Sequence, residues 1–316
     1  SCTGMPGASP VSEGSVFDVA SITKSVPTSC LALHLVETGG LRLDDQARRY
    51  LPELAPSWDG VLVRHLLTQT LGFGFRLSAY RDRGPDEILD AIFTARFTFP
   101  PGAGFGYCNA TSIVLGMIVE RTAGIPLDEL AERVLFTPLG MGRTSFHPLR
   151  RFSPGEIVPT ELDGCGGEIR GVVHDESARV LSGRMVPGSA GLFSTAPDLL
   201  RFSLMLLNGG RLGDAAVFSG RTVAVMHTNQ IGAIDGFTGM GWELNQPRFM
   251  GPCSEEAFGK TGFTGCSLVC DPRRGLGLVL LSNYTWPRRK PDRAAINRVR
   301  RRLADILYTA RWEQHA

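Results

Sequence analysis

The feature that most constrains the fold of this chain is a change in the spacing of its apolar residues near residue 215. Between about 60 and 210, apolar residues recur at helical spacing in segments separated by loops with glycine and proline. After residue 215 the chain holds short strand-like runs that end at turn residues, and then an amphipathic segment at 293–308. This order predicts a sheet with flanking helices built from the two ends of the chain, and a helical region inserted between them.

We therefore expect an α+β fold. Residues 1–55 and 215–316 are expected to form a domain with an antiparallel sheet flanked by N- and C-terminal helices, and residues 56–214 an inserted, all-helical domain. Helices are predicted at 24–37, 61–71, 85–97, 111–122, 127–135, 198–207 and 293–308. Strands are predicted at 241–250, 257–260, 267–271 and 276–283, the last two forming a hairpin around the turn at 271–274.

Bulk properties exclude several classes of protein. A content of 43% hydrophobic and 20% charged residues is that of a globular protein with a substantial core. The net charge of +2, without a long basic block, argues against a nucleic-acid partner. No apolar run approaches the roughly 20 residues that a membrane helix needs. The polar residues 1–15 do not form a signal peptide, although one removed before this sequence begins stays possible.

The seven cysteines are scattered along the chain and contain no Cys-x-x-Cys pair. Cys253, Cys266 and Cys270 could be considered as zinc ligands, but their spacing fits no common zinc site and no histidine is close in sequence. We therefore interpret the cysteines as small buried or free thiols, and we expect no metal site. The redox compartment stays open.

The stretch from Val16 to Lys24 is the first candidate for chemistry. It predicts a short extended run that brings Ser21 to the start of a helix, where unpaired backbone N–H groups favour negative charge. Lys24 follows Ser21 at a spacing that puts both side chains on one helical face. A serine hydroxyl needs a neighbouring base to become a good nucleophile, and Lys24 can be that base or part of its network.

The scarcity of lysine strengthens this interpretation. Lys24, Lys260 and Lys290 are the only lysines among 33 basic residues, and the rest are arginines. Arginine cannot release its proton near neutral pH, so a lysine in such a chain can mark a place that needs a compact ammonium able to do so. Lys24 and Lys260 stand in motifs, whereas Lys290 follows two arginines and is interpreted as a surface charge.

Two further motifs supply candidate partners for the serine. Tyr107-Cys108-Asn109 follows a loop rich in glycine and proline. Alone, its tyrosine is better explained as an exposed loop residue, but between two lysines Tyr107 is a candidate general base, because positive charge favours its phenolate. Asn109 offers both a donor and an acceptor to a substrate amide.

The run from Gly259 to Gly265 contains Lys260, Thr261, Gly262 and Phe263, and it predicts an exposed strand edge with which an extended substrate can pair. Alone, the run is also typical of an ordinary glycine-rich turn. At a strand edge, the Phe263 N–H could stabilise a developing oxyanion together with the Ser21 N–H.

The three motifs together resemble those of the serine β-lactamase and penicillin-binding protein superfamily. Ser21-Ile22-Thr23-Lys24 matches Ser-x-x-Lys, Tyr107-Cys108-Asn109 matches Tyr-x-Asn, and Lys260-Thr261-Gly262 matches Lys-Thr-Gly, in the order of the family. The resemblance is closest to the class C β-lactamase-like branch, which includes D-alanyl-D-alanine carboxypeptidases and esterases. Further segments typical of that branch are 66–73, 138–141, 188–195 and 239–242.

The chain departs from the branch in two places. Its members usually have a longer segment, a helix and a strand pair, before the serine motif, whereas 20 residues precede Ser21 here. The sheet is therefore expected to lack strands, or the given chain to omit a stretch. Many relatives have histidine at the position of Lys260, and lysine favours β-lactam and D-Ala-D-Ala-type sites.

The resemblance implies a serine hydrolase that cleaves an ester or amide through an acyl-enzyme and needs no cofactor. In this hypothesis Ser21 attacks the carbonyl and Tyr107, with Lys24, takes its proton. Lys260 and Thr261 bind a substrate carboxylate or tune Tyr107, and Asn109, Gly262 and Phe263 complete the substrate-binding set.

Several points stay open from the sequence. The substrate can be a β-lactam, a D-Ala-D-Ala-type or other peptidoglycan-like peptide, or a carboxylic ester. The alternative function is a penicillin-binding or sensor protein that is acylated without significant turnover. The resemblance favours a periplasmic or extracellular location, with a cytoplasmic one possible, and the oligomeric state is not predicted.

Overall fold

The computed structural model describes residues 2–4, 7–8, 10–232, 234 and 236–310. Its α-helices are α1 (Cys30–Glu37), α2 (Ala47–Tyr50), α3 (Val63–Leu67), α4 (Pro85–Phe93), α5 (Asn109–Ala123), α6 (Leu127–Ala131), α7 (Pro148–Arg151), α8 (Glu176–Leu181), α9 (Ala196–Leu207), α10 (Gly220–Met226), α11 (Pro247–Met250) and α12 (Ala294–Thr309). Its strands are β1 (Phe17–Asp18), β2 (Glu161–Leu162), β3 (Glu168–Ile169), β4 (Phe193–Ser194), β5 (Arg211–Leu212), β6 (Ala215–Ala216), β7 (Glu243–Leu244), β8 (Phe258–Thr261), β9 (Ser267–Asp271) and β10 (Leu276–Leu280).

An antiparallel sheet with the strand order β10-β9-β8-β7 is the main sheet of the fold. The predicted hairpin is confirmed, since Leu276 of β10 lies opposite Asp271 of β9 across the turn. In the neighbouring strand pair, Lys260 of β8 lies opposite Leu268 of β9. The other described strands form two-residue pairs, β1 with β4, β2 with β3, and β5 with β6. The predicted α+β class with an antiparallel sheet is confirmed.

Helices cover both faces of this sheet. Side chains alternate along a strand, so Leu268 and Cys270 of β9 face one side and Val269 faces the other. Leu268 and Cys270 pack in the main core with Phe202 of α9, and Val269 packs in a separate cluster with Ala304 of α12. Every residue of β9 is buried as a result.

Helix α9 belongs by sequence to the predicted helical insertion, and the structure packs it against β9 and β10. Leu199, Phe202 and Leu206 recur at helical spacing and are buried. The division into residues 1–55 with 215–316 and residues 56–214 stays a prediction.

The helix predicted at 24–37 is interrupted in its first half. A 3₁₀ turn at Ala20–Lys24 leads into an irregular turn at Ser25–Ser29, and regular α-helix begins only at Cys30. Val26 has an extended backbone there (φ −115°, ψ 106°). The ring of Pro27 disfavours the helical conformation for the residue before it, which explains the interruption.

The strand predicted at 241–250 is wrong over most of its length. Strand β7 covers two residues, and helix α11 begins at Pro247, a residue that the first turn of a helix accepts because its missing N–H would be unpaired there anyway. The helix predicted at 61–71 is shortened to α3, and Gln69 beyond it has a positive φ of 56°.

In the described part of the chain, no single helix is long and apolar enough to cross a membrane. One bent pair, α5 with the segment Leu127–Phe136, passes that test of length and composition together.

Candidate active site

The turn that carries Ser21 is held in an uncommon backbone conformation. Ala20, the residue before the serine, has a positive φ of 48°, which a residue with a side chain adopts only when its surroundings impose it. Asp18 provides part of that support, because its Oδ1 accepts the Ala20 N–H at 2.8 Å. The Thr264 hydroxyl also donates to the Asp18 carbonyl at 2.7 Å. The segment after β8 is thereby tied to the turn that presents the serine.

Lys24 lies in direct contact with Ser21, as the three-residue spacing predicts. Its Nζ donates to the Ser21 Oγ at 2.9 Å and to the Ser189 carbonyl at 2.8 Å. The residue is 3% exposed. A buried ammonium with two fixed acceptors has a defined position, so it can polarise one hydroxyl and move protons to or from it.

Tyr107 lies between the two buried lysines. Its ring centroid is 5.3 Å from the Nζ of Lys24 and 4.8 Å from that of Lys260. Tyr107 is 48% exposed and lines the cleft, and the side chains of Ser21 and Lys24 reach its hydroxyl. Burial raises the pKa of Tyr107, but the two lysine charges and hydrogen bonds from Ser21 and Lys24 outweigh it, so the pKa lies below its ordinary value. This environment favours the phenolate.

Lys260 is paired with a residue that the sequence analysis did not identify. Its Nζ lies 3.0 Å from the Oε1 of Glu243, which β7 places opposite Gly259 of β8. Burial lowers the pKa of Lys260, but the charges of Glu243 and Tyr107 raise it more, so the net pKa is raised. Burial likewise raises the pKa of Glu243, and Lys260 with Arg248 brings the net pKa below its usual value.

A sequence signal for Glu243 did exist. It directly follows the segment 239–242, which was identified as typical of the branch. The signal was not sufficient, because only the pairing of β7 with β8 decides which of the 31 acidic residues faces Lys260.

Gly262 allows the end of β8 to approach the serine turn. A Cβ on this residue would lie 2.4 Å from the Val19 carbonyl oxygen, which no side chain tolerates. Within the described residues, neither the Ser21 N–H nor the Phe263 N–H has a protein acceptor. An oxyanion is stabilised by unpaired N–H groups, so the Ser21 and Phe263 N–H groups, whose residues line the same cleft, are candidates to bind one.

Ser21, Tyr107 and Gly262 lie in the wall of one cleft, whose volume is about 520 Å³. Among the residues that line it are Ser21, Phe105, Tyr107, Thr238, Glu243, Arg248, Thr261, Gly262, Phe263, Arg293, Asn297 and Arg300. The three arginines were not identified from the sequence, because arginine is the general cation of this chain. Arg248 pairs with Glu243, whereas Arg293 and Arg300 form no ion pair among the described residues, so these two make the cleft suitable for an anionic group.

Polar contacts hold the Tyr-x-Asn motif in place from two sides. The Gln69 Oε1 accepts the Thr111 hydroxyl at 2.7 Å and the Cys108 N–H at 3.2 Å. Asn109 begins α5, and its Nδ2 donates to the Oδ2 of Asp175 at 3.0 Å. In the described part of the chain Asn109 is not among the residues that line the cleft, so its predicted contact with substrate stays a prediction.

Lys290 lies apart from the cleft. It is exposed, and its Nζ lies 4.3 Å from the ring centroid of Tyr284. No group of three His, Cys, Asp or Glu residues that could hold a metal ion occurs among the described residues.

Comparison with known proteins gives this geometry a family context. A model of the family described as "Beta-lactamase" matches residues 4–301. The chain is 31% identical over 303 residues to a protein of Escherichia coli K12 named "Putative D-alanyl-D-alanine carboxypeptidase", covering 85% of this chain and 69% of that protein.

Solved structures show the same fold. A β-lactamase from Mycobacterium bovis is similar with a TM-score of 0.62 and 25% identity, covering 96% of this chain and 90% of the other. EstCE1, a hydrolase with promiscuous acyltransferase activity, is similar with a TM-score of 0.67 and 22% identity, covering 92% and 86%. From the family match and these likenesses we conclude that the chain belongs to the β-lactamase family of serine hydrolases.

Proposed function

We propose that this chain cleaves an ester or amide bond through an acyl-enzyme formed on Ser21. The observation that carries the proposal is the contact of 2.9 Å between the Lys24 Nζ and the Ser21 Oγ, beside a tyrosine hydroxyl enclosed by two lysine charges. A serine in this setting has a neighbour that can take its proton, and it has two free N–H groups beside it.

In the proposed acylation, the Ser21 Oγ attacks the substrate carbonyl carbon while Tyr107, supported by Lys24, takes the hydroxyl proton. The N–H groups of Ser21 and Phe263 stabilise the oxyanion of the tetrahedral intermediate. When the intermediate collapses, the bond to the leaving group breaks and Tyr107 returns the proton to that group. In deacylation Tyr107 takes a proton from water while the water oxygen attacks the ester carbonyl. The second tetrahedral intermediate then collapses, the bond between the carbonyl carbon and the Ser21 Oγ breaks, Tyr107 gives the proton to that oxygen, and the carboxylic acid product leaves.

The charges of the cleft support a substrate with a carboxylate. Lys260 and Arg248 both pair with Glu243, which offsets part of their charge. Arg293 and Arg300 also line the cleft, and neither forms an ion pair with a carboxylate in the described part of the chain. We therefore propose a D-Ala-D-Ala-type peptide or a related β-lactam as the substrate class, with Lys260 and Thr261 contacting its carboxylate. The name of the Escherichia coli relative agrees with this proposal.

The proposal is tested by Ser21→Ala, with covalent labelling by a fluorophosphonate as the readout. The wild type should gain one label that maps to Ser21, and Ser21→Ala should gain none while keeping its melting temperature. Ser78→Ala, at an exposed serine, is the matched control and should label as the wild type does. A label that persists in Ser21→Ala would show that another residue is the nucleophile.

The substrate class is tested by comparing a D-Ala-D-Ala peptide, a chromogenic cephalosporin and a short aryl ester. The penicillin-binding or sensor alternative predicts that an acyl adduct, followed by time-resolved mass spectrometry, persists for hours. A hydrolase predicts a transient adduct and released product. Turnover of the ester alone would contradict the proposed preference for a carboxylate.

A further inference from the structure

The segment His174-Asp175-Glu176 has no role in the proposed reaction, yet it contacts Asn109 of the Tyr-x-Asn motif and two residues that flank the other motifs, Asp18 and Phe263. Its first contact is with the turn that carries the serine. The His174 backbone N–H donates to the Oδ2 of Asp18 at 2.8 Å, and the Oδ1 of the same carboxylate accepts the Ala20 N–H at 2.8 Å. His174 is therefore two hydrogen bonds away from the positive-φ residue that presents Ser21.

The second contact is with Phe263, whose N–H is the proposed oxyanion donor. The His174 ring stacks on the Phe263 ring with centroids 5.7 Å apart and an interplanar angle of 22°. The His174 Nε2 lies 2.8 Å from the Glu161 carboxylate, and Arg289 joins Glu161 and Glu176 at 3.0 and 2.6 Å. These contacts fix the position of the imidazole against the aromatic ring.

The third contact is with the Tyr-x-Asn motif, through Asp175. Its Oδ1 accepts the Ala178 N–H at 2.9 Å and the Ser177 hydroxyl at 2.7 Å, which caps α8. Its Oδ2 accepts the Nδ2 of Asn109 at 3.0 Å. A helix cap needs one carboxylate oxygen. The second oxygen is engaged by a residue 66 positions earlier in the chain, in a catalytic motif.

A carboxylate can only accept hydrogen bonds, so this contact decides the orientation of the Asn109 amide. The NH₂ group must face Asp175, and the amide oxygen is therefore turned away from it. The opposite orientation would place the Asn109 oxygen against an anionic oxygen. Asp175 thus controls which polar atom Asn109 can present elsewhere.

We propose that Asp175 is a positioning residue that sets the preference for substrates with an amide group, by fixing the orientation of Asn109. The inference rests on the proposed function and on the prediction from the sequence that Asn109 binds a substrate amide. It adds that His174-Asp175-Glu176 connects Asn109 with Asp18 and Phe263, which flank the other two motifs, and that Asp175 acts through Asn109 and does not touch the substrate.

The test is Asp175→Asn, measured with two probes. Asparagine caps a helix as well as aspartate does, so α8 should keep its cap. Its oxygen is then used at the cap and its NH₂ group faces Asn109, which must turn its amide around. Acylation by benzylpenicillin, which carries a side-chain amide, should slow at least tenfold. Acylation by p-nitrophenyl acetate, which has no amide, should change less than about threefold.

Two further variants separate positioning from folding. Ser177→Ala removes a donor to the capping oxygen and leaves the contact with Asn109, so both probes should react at wild-type rates. In an Asn109→Ala background, Asp175→Asn should change the ratio of the two rates less than twofold, because the group on which Asp175 acts is gone. If Asp175→Asn folds poorly, Asp175→Ser retains a capping oxygen and carries the same expectations.

An unchanged ratio of the two rates in Asp175→Asn overturns the proposal. So does a loss that Ser177→Ala shares, or one of equal size in the Asn109→Ala background. Failure of the proposed function is seen separately, because it appears as a wild type that gains no label at Ser21.

Discussion

Replacing Lys24 with arginine separates positive charge from proton transfer. Lys24→Arg keeps a cation near Tyr107, but arginine cannot release its proton near neutral pH and its planar group is larger than an ammonium. The native Nζ makes two contacts at once, at 2.9 Å to the Ser21 Oγ and at 2.8 Å to the Ser189 carbonyl, in a side chain that is buried. A guanidinium cannot place one nitrogen at that position without moving its neighbours.

The size of the expected effect follows from the role of the lysine. Loss of acid–base assistance typically costs a factor of about 10² to 10⁴ in rate. At about 1.4 kcal/mol for each factor of ten, this is about 3 to 5 kcal/mol of lost transition-state stabilisation. Since arginine retains the charge beside Tyr107, the loss measures proton transfer and fit more than electrostatic attraction.

The assay measures steady-state kcat/KM. Its substrate is the one of the D-Ala-D-Ala peptide, the cephalosporin and the aryl ester that the wild type turns over. Two other lysines provide matched controls for the same chemical change. Lys260→Arg should fall between the wild type and Lys24→Arg, because it retains the charge beside Glu243 but loses the fit of a compact ammonium. Lys290→Arg should leave kcat/KM nearly unchanged, because the residue is exposed and arginine can also lie against the Tyr284 ring.

A Lys24→Arg enzyme with kcat/KM within about threefold of the wild type would refute this reasoning. It would mean that a cation at this position suffices and that no proton passes through the lysine. Equal losses in all three variants would point to a general effect of the substitution on folding, which melting temperatures would reveal.

Two further predictions follow from the structure. Glu243→Gln removes the charge that raises the pKa of Lys260, so Lys260 loses its proton at a lower pH. The fall of kcat/KM on the alkaline side of its pH profile should therefore move to lower pH. A profile that does not move would contradict the pairing of Lys260 with Glu243. Gly262→Ala places a Cβ 2.4 Å from the Val19 carbonyl oxygen, so the serine turn must shift and fluorophosphonate labelling should slow at least tenfold. Gly220→Ala is the control, because an added Cβ meets nothing within 4 Å there, and it should be labelled at the wild-type rate. Equal labelling rates in the two glycine variants would contradict the close approach of Gly262 to the serine turn as the cause.

Local features of the sequence were sufficient to predict the contact between Ser21 and Lys24 and the hairpin. Ser21 and Lys24 are three residues apart, and any helical turn brings such neighbours together whatever the rest of the chain does. Strand β9 begins and ends at the predicted residues, because the turn residues at 271–274 that end it act over a few positions. Interactions of this range can be inferred without knowing the fold.

Only the tertiary structure decided the rest of the site. Glu243 reaches Lys260 because β7 pairs with β8, and the turn before α11 cannot be inferred from the apolar pattern of 241–250. Asp175 reaches Asn109 because the fold brings the residue before α8 next to the first residue of α5. Contacts between residues far apart in sequence depend on how whole elements pack, and the free energy of that packing is spread over the core. A short motif can therefore specify which groups react, while the packing of the core determines which groups surround them.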